Sequence, residues 1–312
     1  MAMPTLMDIA TRNAADLTIE LLDEAVQYAP EVDLGPARTI RGRQYKTLVR
    51  TANPTVSFRD ANEGSAISKG TYENRLVETF IFNPQWEADK AVAQSSEDGA
   101  DAYLADEAQA IVNASLFHLG KVFYYGKDAT FGDAKGFPGL LASYDSTNME
   151  VSAGGTTDSI NSSVWAVVWG PQHCRWVWGL DGSLDLSDVT EVRLIDGSSN
   201  PYTGLRQELL AYAGMQIRSK YSCARIKLIN STDSGKNLSD ALIYQLLGKF
   251  PAGIEPDVLL MTRRSLEGLR ASRTATNPTG APAPYPEYIQ GVTKRIPIQI
   301  TEAITNTETL TL

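Results

Sequence analysis

Between Leu34 and Arg59 the chain carries six basic residues, Arg38, Arg41, Arg43, Lys46, Arg50 and Arg59, and no acid. This stretch constrains the fold more than any other. Asn62, Glu63, Gly64 and Ser65 follow as a turn cluster, and from Tyr72 to Phe82 a strand-like pattern resumes. The pattern predicts a long β-hairpin over residues 38–82, with polar faces and few large apolar side chains. Such a ribbon has little of its own to bury, and an isolated hairpin is marginal in water. It must lie against something else. The whole chain has a net charge of −9, so the expected support is an acidic surface on another copy. A cationic ribbon crossing an acidic neighbour gains orientation and complementarity more than raw affinity. The same residues also admit a nucleic-acid contact or a solvated loop. The acidic balance argues against a dedicated duplex binder, and the length of the acid-free run argues against a loop.

At 312 residues the chain can build two or three subdomains, and 43% hydrophobic residues with 13 Tyr and 8 Phe indicate an ordered core. The opening MAMPTLMDIATRN lacks the charged and apolar regions of a secretory signal. No apolar stretch approaches the roughly 20 residues needed to span a bilayer, so no membrane partner is expected. Two cysteines, Cys174 and Cys223, cannot make a disulfide framework or a zinc site of their own. They suit a protein made in a reducing cytoplasm. Phosphate-loop, dinucleotide, GxSxG and HExxH motifs are absent from the sequence, and two histidines exclude multi-histidine metal sites. No catalytic, cofactor-binding or metal residues are therefore expected.

One stretch tests that conclusion. WAVVWGPQHCRWVWG (165–179) holds four of the five tryptophans, one histidine and one cysteine. A Cys–His nucleophile needs facing side chains, whereas adjacent His173 and Cys174 point to opposite faces of a strand. Trp165, Val167 and Trp169 share one face, Gly170-Pro171 make a turn, and Cys174, Trp176 and Trp178 share a face beyond it. The alternation predicts a structural hairpin with His173 in its turn.

Elsewhere, apolar spacing predicts a helix over 6–28 and a long one over 96–126, capped by Ser96 or Asp98 and stopped at Gly126. Alanines along the long helix suggest close packing, with His118 held as an ordinary helix residue. GFPGL (136–140) reads as a turn and strand entry, and 152–163 as a polar connector. EVRLID (191–196), YSCARIKLIN (221–230) and RIPIQI (295–300) read as strands. NLSDALIYQLLGKF (237–250) reads as a helix capped by Asn237 or Ser239, PDVLLMTRRSLEGLR (256–270) as a buried strand and short helix, and 278–286 as an exposed proline-rich loop. The class is α+β, one long helix with scattered small sheets.

This order of parts resembles the major capsid proteins of tailed bacteriophages, the Hong Kong 97-type shell fold. The ribbon at 38–82, the long helix before YYGKDA, GFPGL, VLLMTRRSLEGLR (258–270) and GVTKRIPIQITEAI (291–304) carry the resemblance. SVWAVVWGP, DLSDVTEVRLID and YSCARIKLIN are similar to one branch of those proteins. The resemblance implies an N-terminal arm (1–37), an extended loop (38–82) and a peripheral domain with the spine helix (83–150). A β-rich part of the peripheral or axial domain (151–232) and an axial domain with the C-terminal strand (233–312) would follow. It implies self-assembly into pentamers and hexamers of an icosahedral shell enclosing the genome. A separate scaffolding protein, a portal and a decoration protein are the implied partners. It also implies assembly in the host cytoplasm, residence in the virion, and no sequence-specific nucleic-acid binding. The six basic residues are the candidate subunit contacts. The alternatives are an encapsulin-like compartment shell, or a hydrolase using Cys174 or a serine.

Overall fold

The computed structural model describes residues 28–312 apart from 98, 183–184, 276 and 278–280. The helix expected over 6–28 therefore lies outside the described residues, all but Tyr28, as do Asp98 and the start of the 278–286 loop.

The chain enters through α1 (Glu31–Leu34) and β1 (Ala37–Thr39), then makes the ribbon β2 (Gln44–Ala52) and β3 (Thr71–Glu78). Next come β4 (Phe80–Phe82), β5 (Gln85–Asp89), α2 (Lys90–Gln94), the long α3 (Ala100–Tyr125) and α4 (Leu140–Ser143). Strands β6 (Glu150–Ser152), β7 (Ser162–Val167), β8 (Cys174–Trp178), β9 (Asp185–Leu186), β10 (Thr190–Ile195), β11 (Pro201–Ile217) and β12 (Cys223–Ile229) follow. The chain ends with α5 (Asp240–Leu247), β13 (Val258–Met261), α6 (Arg263–Ala275), β14 (Tyr288–Gln290) and β15 (Arg295–Ile300).

The sheets are large rather than scattered and small. Seven strands gather on β11, whose 17 residues pair in turn with β10, β5, β9, β4 and β8, while β1 adds to β8. A second sheet runs β14-β15-β13-β7-β12-β6, and the ribbon β2–β3 stands apart. Both large sheets mix parallel and antiparallel pairs, and with the helices they give the expected α+β class.

The tryptophan stretch corrects one expectation. Trp165 and Val167 lie in β7 of the six-stranded sheet, and Trp176 and Trp178 in β8 of the seven-stranded one. The two strands do not form a hairpin; one isolated bridge, Trp169–Cys174, joins the turn. The alternation nevertheless holds within each strand. Trp165, Val167, Cys174, Trp176 and Trp178 all enter one core, with Phe123, Tyr124 and Tyr125 from the end of α3. Trp176 stacks on Trp178 at 6.3 Å and on Phe123 at 5.5 Å. Tyr124 meets Trp165 at 6.3 Å, so the end of α3 joins the aromatics of the two sheets without cross-strand pairing. The alternate residues of β7, Val164 and Ala166, enter a second core with Ile243 and Leu246 of α5 and Leu266 and Leu269 of α6. β7 is thus buried on both faces.

Helix α3 spans 26 residues, about 39 Å at 1.5 Å each. Gly99, not Ser96, is its N-cap, and no side chain caps it. The C-terminal stop at Gly126 is as expected, with φ 58° and its N–H donating to the Val122 carbonyl. Ala102, Ala105, Ala110 and Ala114 face solvent rather than a packed neighbour. GFPGL leads into the short helix α4, not a strand. A Cβ at Gly139 would sit 2.5 Å from both the Gly126 nitrogen and the Val122 oxygen, so this turn lies directly on the end of α3. In the 152–163 connector, Asn161, Ser162 and Ser163 are buried, and the two serines already belong to β7, an interior strand of the six-stranded sheet. Ser239 is the N-cap of α5, without a side-chain bond.

Candidate subunit-contact surface

The ribbon is paired from Gln44–Glu78 to Ala52–Thr71, with a bulge between Arg50 and Ala52. At about 3.4 Å per residue, β2 reaches about 30 Å. Residues 38–43 and 79–82 lie at the ribbon's root; β1 and β4 join the seven-stranded sheet. Along β2, Tyr45, Thr47 and Val49 form the partly covered face. Lys46, Leu48 and Arg50 form the exposed one, opposite Leu76, Asn74 and Tyr72 of β3.

Beyond the paired strands, residues 53–70 form neither helix nor strand. The Thr55 amide donates to Ser68 Oγ (3.0 Å), and Arg59 Nη1 to the Glu63 carbonyl (2.7 Å). Asn62 turns the chain at φ 71°. In this tip Val56, Phe58 and Ile67 are 93%, 107% and 101% exposed. With Leu48, Leu76 and Tyr72 they make the ribbon an unexpectedly apolar object.

The root is closed. Ile40, Val77 and Val177 pack together with Tyr45. Thr79 donates from its amide and its hydroxyl to the Arg43 carbonyl (2.9 and 3.0 Å). A Cβ at Gly214 would come within 2.4 Å of the Glu78 carbonyl oxygen, so the end of β3 rests on the β11 backbone.

The six basic residues form a line rather than a cluster. Arg38, Arg41 and Arg43 sit at the root, Lys46 and Arg50 share the outer face, and Arg59 is at the tip; all are exposed. Tyrosine faces hold three of the guanidinium groups: Arg38 over Tyr45 (4.8 Å), Arg43 over Tyr212 (6.0 Å) and Arg50 over Tyr72 (5.5 Å). Residues 38–82 contain eight bases and four acids, a net charge of +4, which leaves the rest of the −9 chain at −13. Charge asymmetry is legible in the sequence, whereas the apolar tip follows no strand or helix period. Its signal was there, in three large apolar residues set without periodicity among turn-forming ones.

The other candidate chemistry does not assemble. Cys174 and Cys223 are fully buried, and burial pushes the Cys174 thiol well up and the Cys223 thiol to about 12. A thiol held protonated at neutral pH is not a nucleophile. His173 lies in the turn, its pKa lowered by burial against the opposing field of Asp257. His118 stacks on Phe82 at 6.0 Å, and its Nε2 meets Asp133 Oδ2 at 3.1 Å.

The model of a family described as major capsid protein GP7 matches residues 20–311. No curated protein matches the chain. Among solved structures, a chain of bacteriophage Epsilon15 is similar over 99% of this chain and 97% of its own, with 19% identity and a TM-score of 0.71. The SrpI encapsulin of Synechococcus elongatus aligns with 75% of this chain and 98% of its own at 9% identity and a TM-score of 0.49. A capsid chain of the myovirus XM1 aligns with 69% and 97% at 10% identity and 0.48.

Proposed function

The chain belongs to the major capsid protein GP7 family, and from that membership we propose how one copy grips the next. As a capsid protein of a tailed bacteriophage with the Hong Kong 97-type fold, it builds the icosahedral shell of the virion, a structural and not a catalytic role. The compartment and hydrolase readings give way to it.

In our reading the ribbon 44–78 lies across a neighbouring copy within pentamers and hexamers. Its apolar tip supplies buried area, and the line Arg38, Arg41, Arg43, Lys46, Arg50 and Arg59 supplies orientation against an acidic body. The observation that carries this is the exposed tip, Val56, Phe58 and Ile67, at the end of an arm about 30 Å long. A closed shell requires each such surface to find its complement on the same chain. Residues 1–37 would form an arm, 83–150 the peripheral part with the spine helix α3, 151–232 a β-rich continuation, and 233–312 the axial part. A separate scaffolding protein, a portal and a decoration protein would be the further partners.

The test replaces Arg41, Arg43 and Lys46 together with glutamate, in cells that also make the phage's own assembly proteins. Folded subunits and no shells, by circular dichroism and negative-stain microscopy, are expected. Shells in normal yield would refute the ribbon contact.

A further inference from the structure

The apolar cluster at the root holds the ribbon but cannot aim it, because hydrophobic contact is not directional. Hydrogen bonds are directional, and one buried side chain gathers them. Gln216, near the end of β11, is fully buried. Its Oε1 accepts from the Tyr45 hydroxyl of the ribbon, and from Arg175 Nε (3.0 Å) and Nη2 (2.9 Å) of β8. Its Nε2 donates to the Pro171 carbonyl in the turn before β8 (3.0 Å). One amide thus ties together the ribbon, the seven-stranded sheet and the turn.

Two residues further on, Arg218 lies just past the end of β11 and grips both ribbon strands. Its Nη2 donates to the Leu48 carbonyl of β2 (2.8 Å), and its own carbonyl accepts from Arg75 Nη1 of β3 (2.8 Å). The Arg218 amide donates to the His173 carbonyl (3.2 Å), which anchors this grip to the same turn.

We propose that Gln216 is a positioning residue for assembly: its buried amide fixes the angle at which the ribbon leaves the body, and so where the ribbon tip meets the neighbouring copy. This rests on the reading that the ribbon contacts a neighbour. Leverage makes the angle matter. Over an arm of about 30 Å, a tilt of about 10° moves the tip by about 5 Å, more than one residue of strand. Repeated around a closed shell, that error changes curvature or prevents closure. The Tyr45 hydroxyl is the ribbon's half of the joint, and the Arg175 guanidinium strengthens the glutamine oxygen's hold by charge.

Three variants test the joint in co-expression with the phage's assembly proteins. Tyr45→Phe removes the ribbon's hydroxyl alone. Gln216→Leu removes both halves of the amide, and Gln216→Glu keeps the acceptor toward Tyr45 and Arg175 but turns an oxygen onto the Pro171 carbonyl. Micrographs give the diameter distribution and the fraction of closed shells, and fluorescence gives the unfolding midpoint of the subunit. Tyr45→Phe, Gln216→Leu and Gln216→Glu should each lower the yield of shells at wild-type diameter several-fold. Wild-type diameter and yield from Tyr45→Phe would overturn the proposal, as would wild-type diameter and yield from a folded Gln216→Leu. Should Gln216→Leu fail to fold, Tyr45→Phe decides. If the Arg41, Arg43 and Lys46 reversal abolishes shells while Tyr45→Phe leaves them normal, the positioning role fails and the contact survives. If the reversal itself assembles normally, the contact fails.

Discussion

Replacing Glu308 with glutamine removes one charge from a pair that water does not reach. The side chains of Arg225 and Glu308 are each 1% exposed, and Arg225 Nη2 donates to Glu308 Oε2 at 3.1 Å. Ser163 Oγ donates to the same oxygen (2.5 Å), and the Tyr125 hydroxyl, from the last turn of α3, donates to Oε1 (2.7 Å). Arg225 also donates to Ser163 Oγ and to the Leu312 carbonyl, both at 2.9 Å, with its guanidinium 5.4 Å from the Trp165 ring centre. Glutamine fits the space but brings an NH2 where only donors arrive. Placed toward Arg225 it opposes a guanidinium; placed toward Tyr125 it leaves the phenol without an acceptor. A buried donor left unpaired costs about 1–3 kcal/mol, and breaking a buried ion pair from one side costs about 3–5 kcal/mol in all. Against a total stability of about 5–15 kcal/mol, Glu308→Gln should sharply lower the urea midpoint of unassembled subunits. Arg225→Met should do the same, and the double variant Arg225→Met/Glu308→Leu should recover much of the loss, since no charge is then stranded. A loss below about 1 kcal/mol for Glu308→Gln would refute the reasoning. So would a double variant whose loss equals the sum of the two single ones.

Glu31 offers the opposite electrostatics: its Oε1 accepts from the Tyr124 hydroxyl (2.7 Å), its Oε2 has no hydrogen-bond partner among the described residues, and burial raises its pKa against the lowering effect of the Thr301 and Tyr124 hydroxyls. The folded state therefore binds this proton more tightly than the unfolded state. Its stabilising effect is complete below the unfolded value of about 4.3 and is lost as pH rises through the raised folded value. Relative to wild type, Glu31→Gln should gain stability across that window and level off above it; a difference independent of pH between 4 and 8 would contradict this. The two buried thiols should be inert to a disulfide reagent in native subunits at pH 8 and both titrate in denaturant; rapid native labelling would contradict their burial.

Much of this fold was legible because its signals are local. Helical spacing and a glycine stop placed α3 within a few residues of its true ends, and alternation put Trp165, Trp176 and Trp178 on the correct faces. Alternation cannot name a partner strand, so two neighbouring strands in different sheets read as a hairpin. β11 escaped notice for a related reason. Its burial alternates from Leu205 to Ala213, but the buried face includes Gln207 while Leu210 and Tyr212 fall on the other, so apolarity does not follow the period. Polar anchors are harder still. Glu31 meets a partner 93 positions away, Arg225 one 83 away and Gln216 one 171 away, and no sequence window contains both members.

The contact surface is the deepest case, because it is defined by what fails to cover it. Val56, Phe58 and Ile67 differ in no chemical respect from the buried Val77, Phe123 and Ile226. What separates them is that the other described residues leave the first three in water. Burial of a side chain of this size is worth about 1.5–3 kcal/mol, so three exposed together represent a driving force that the described residues do not collect. The basic line beside them could be read from charge alone, but by itself it gives direction without much affinity. Where the two coincide, on an arm whose root is locked, they fit the contact proposed above, with a second copy that presents an acidic, apolar-floored surface at the reach of the arm.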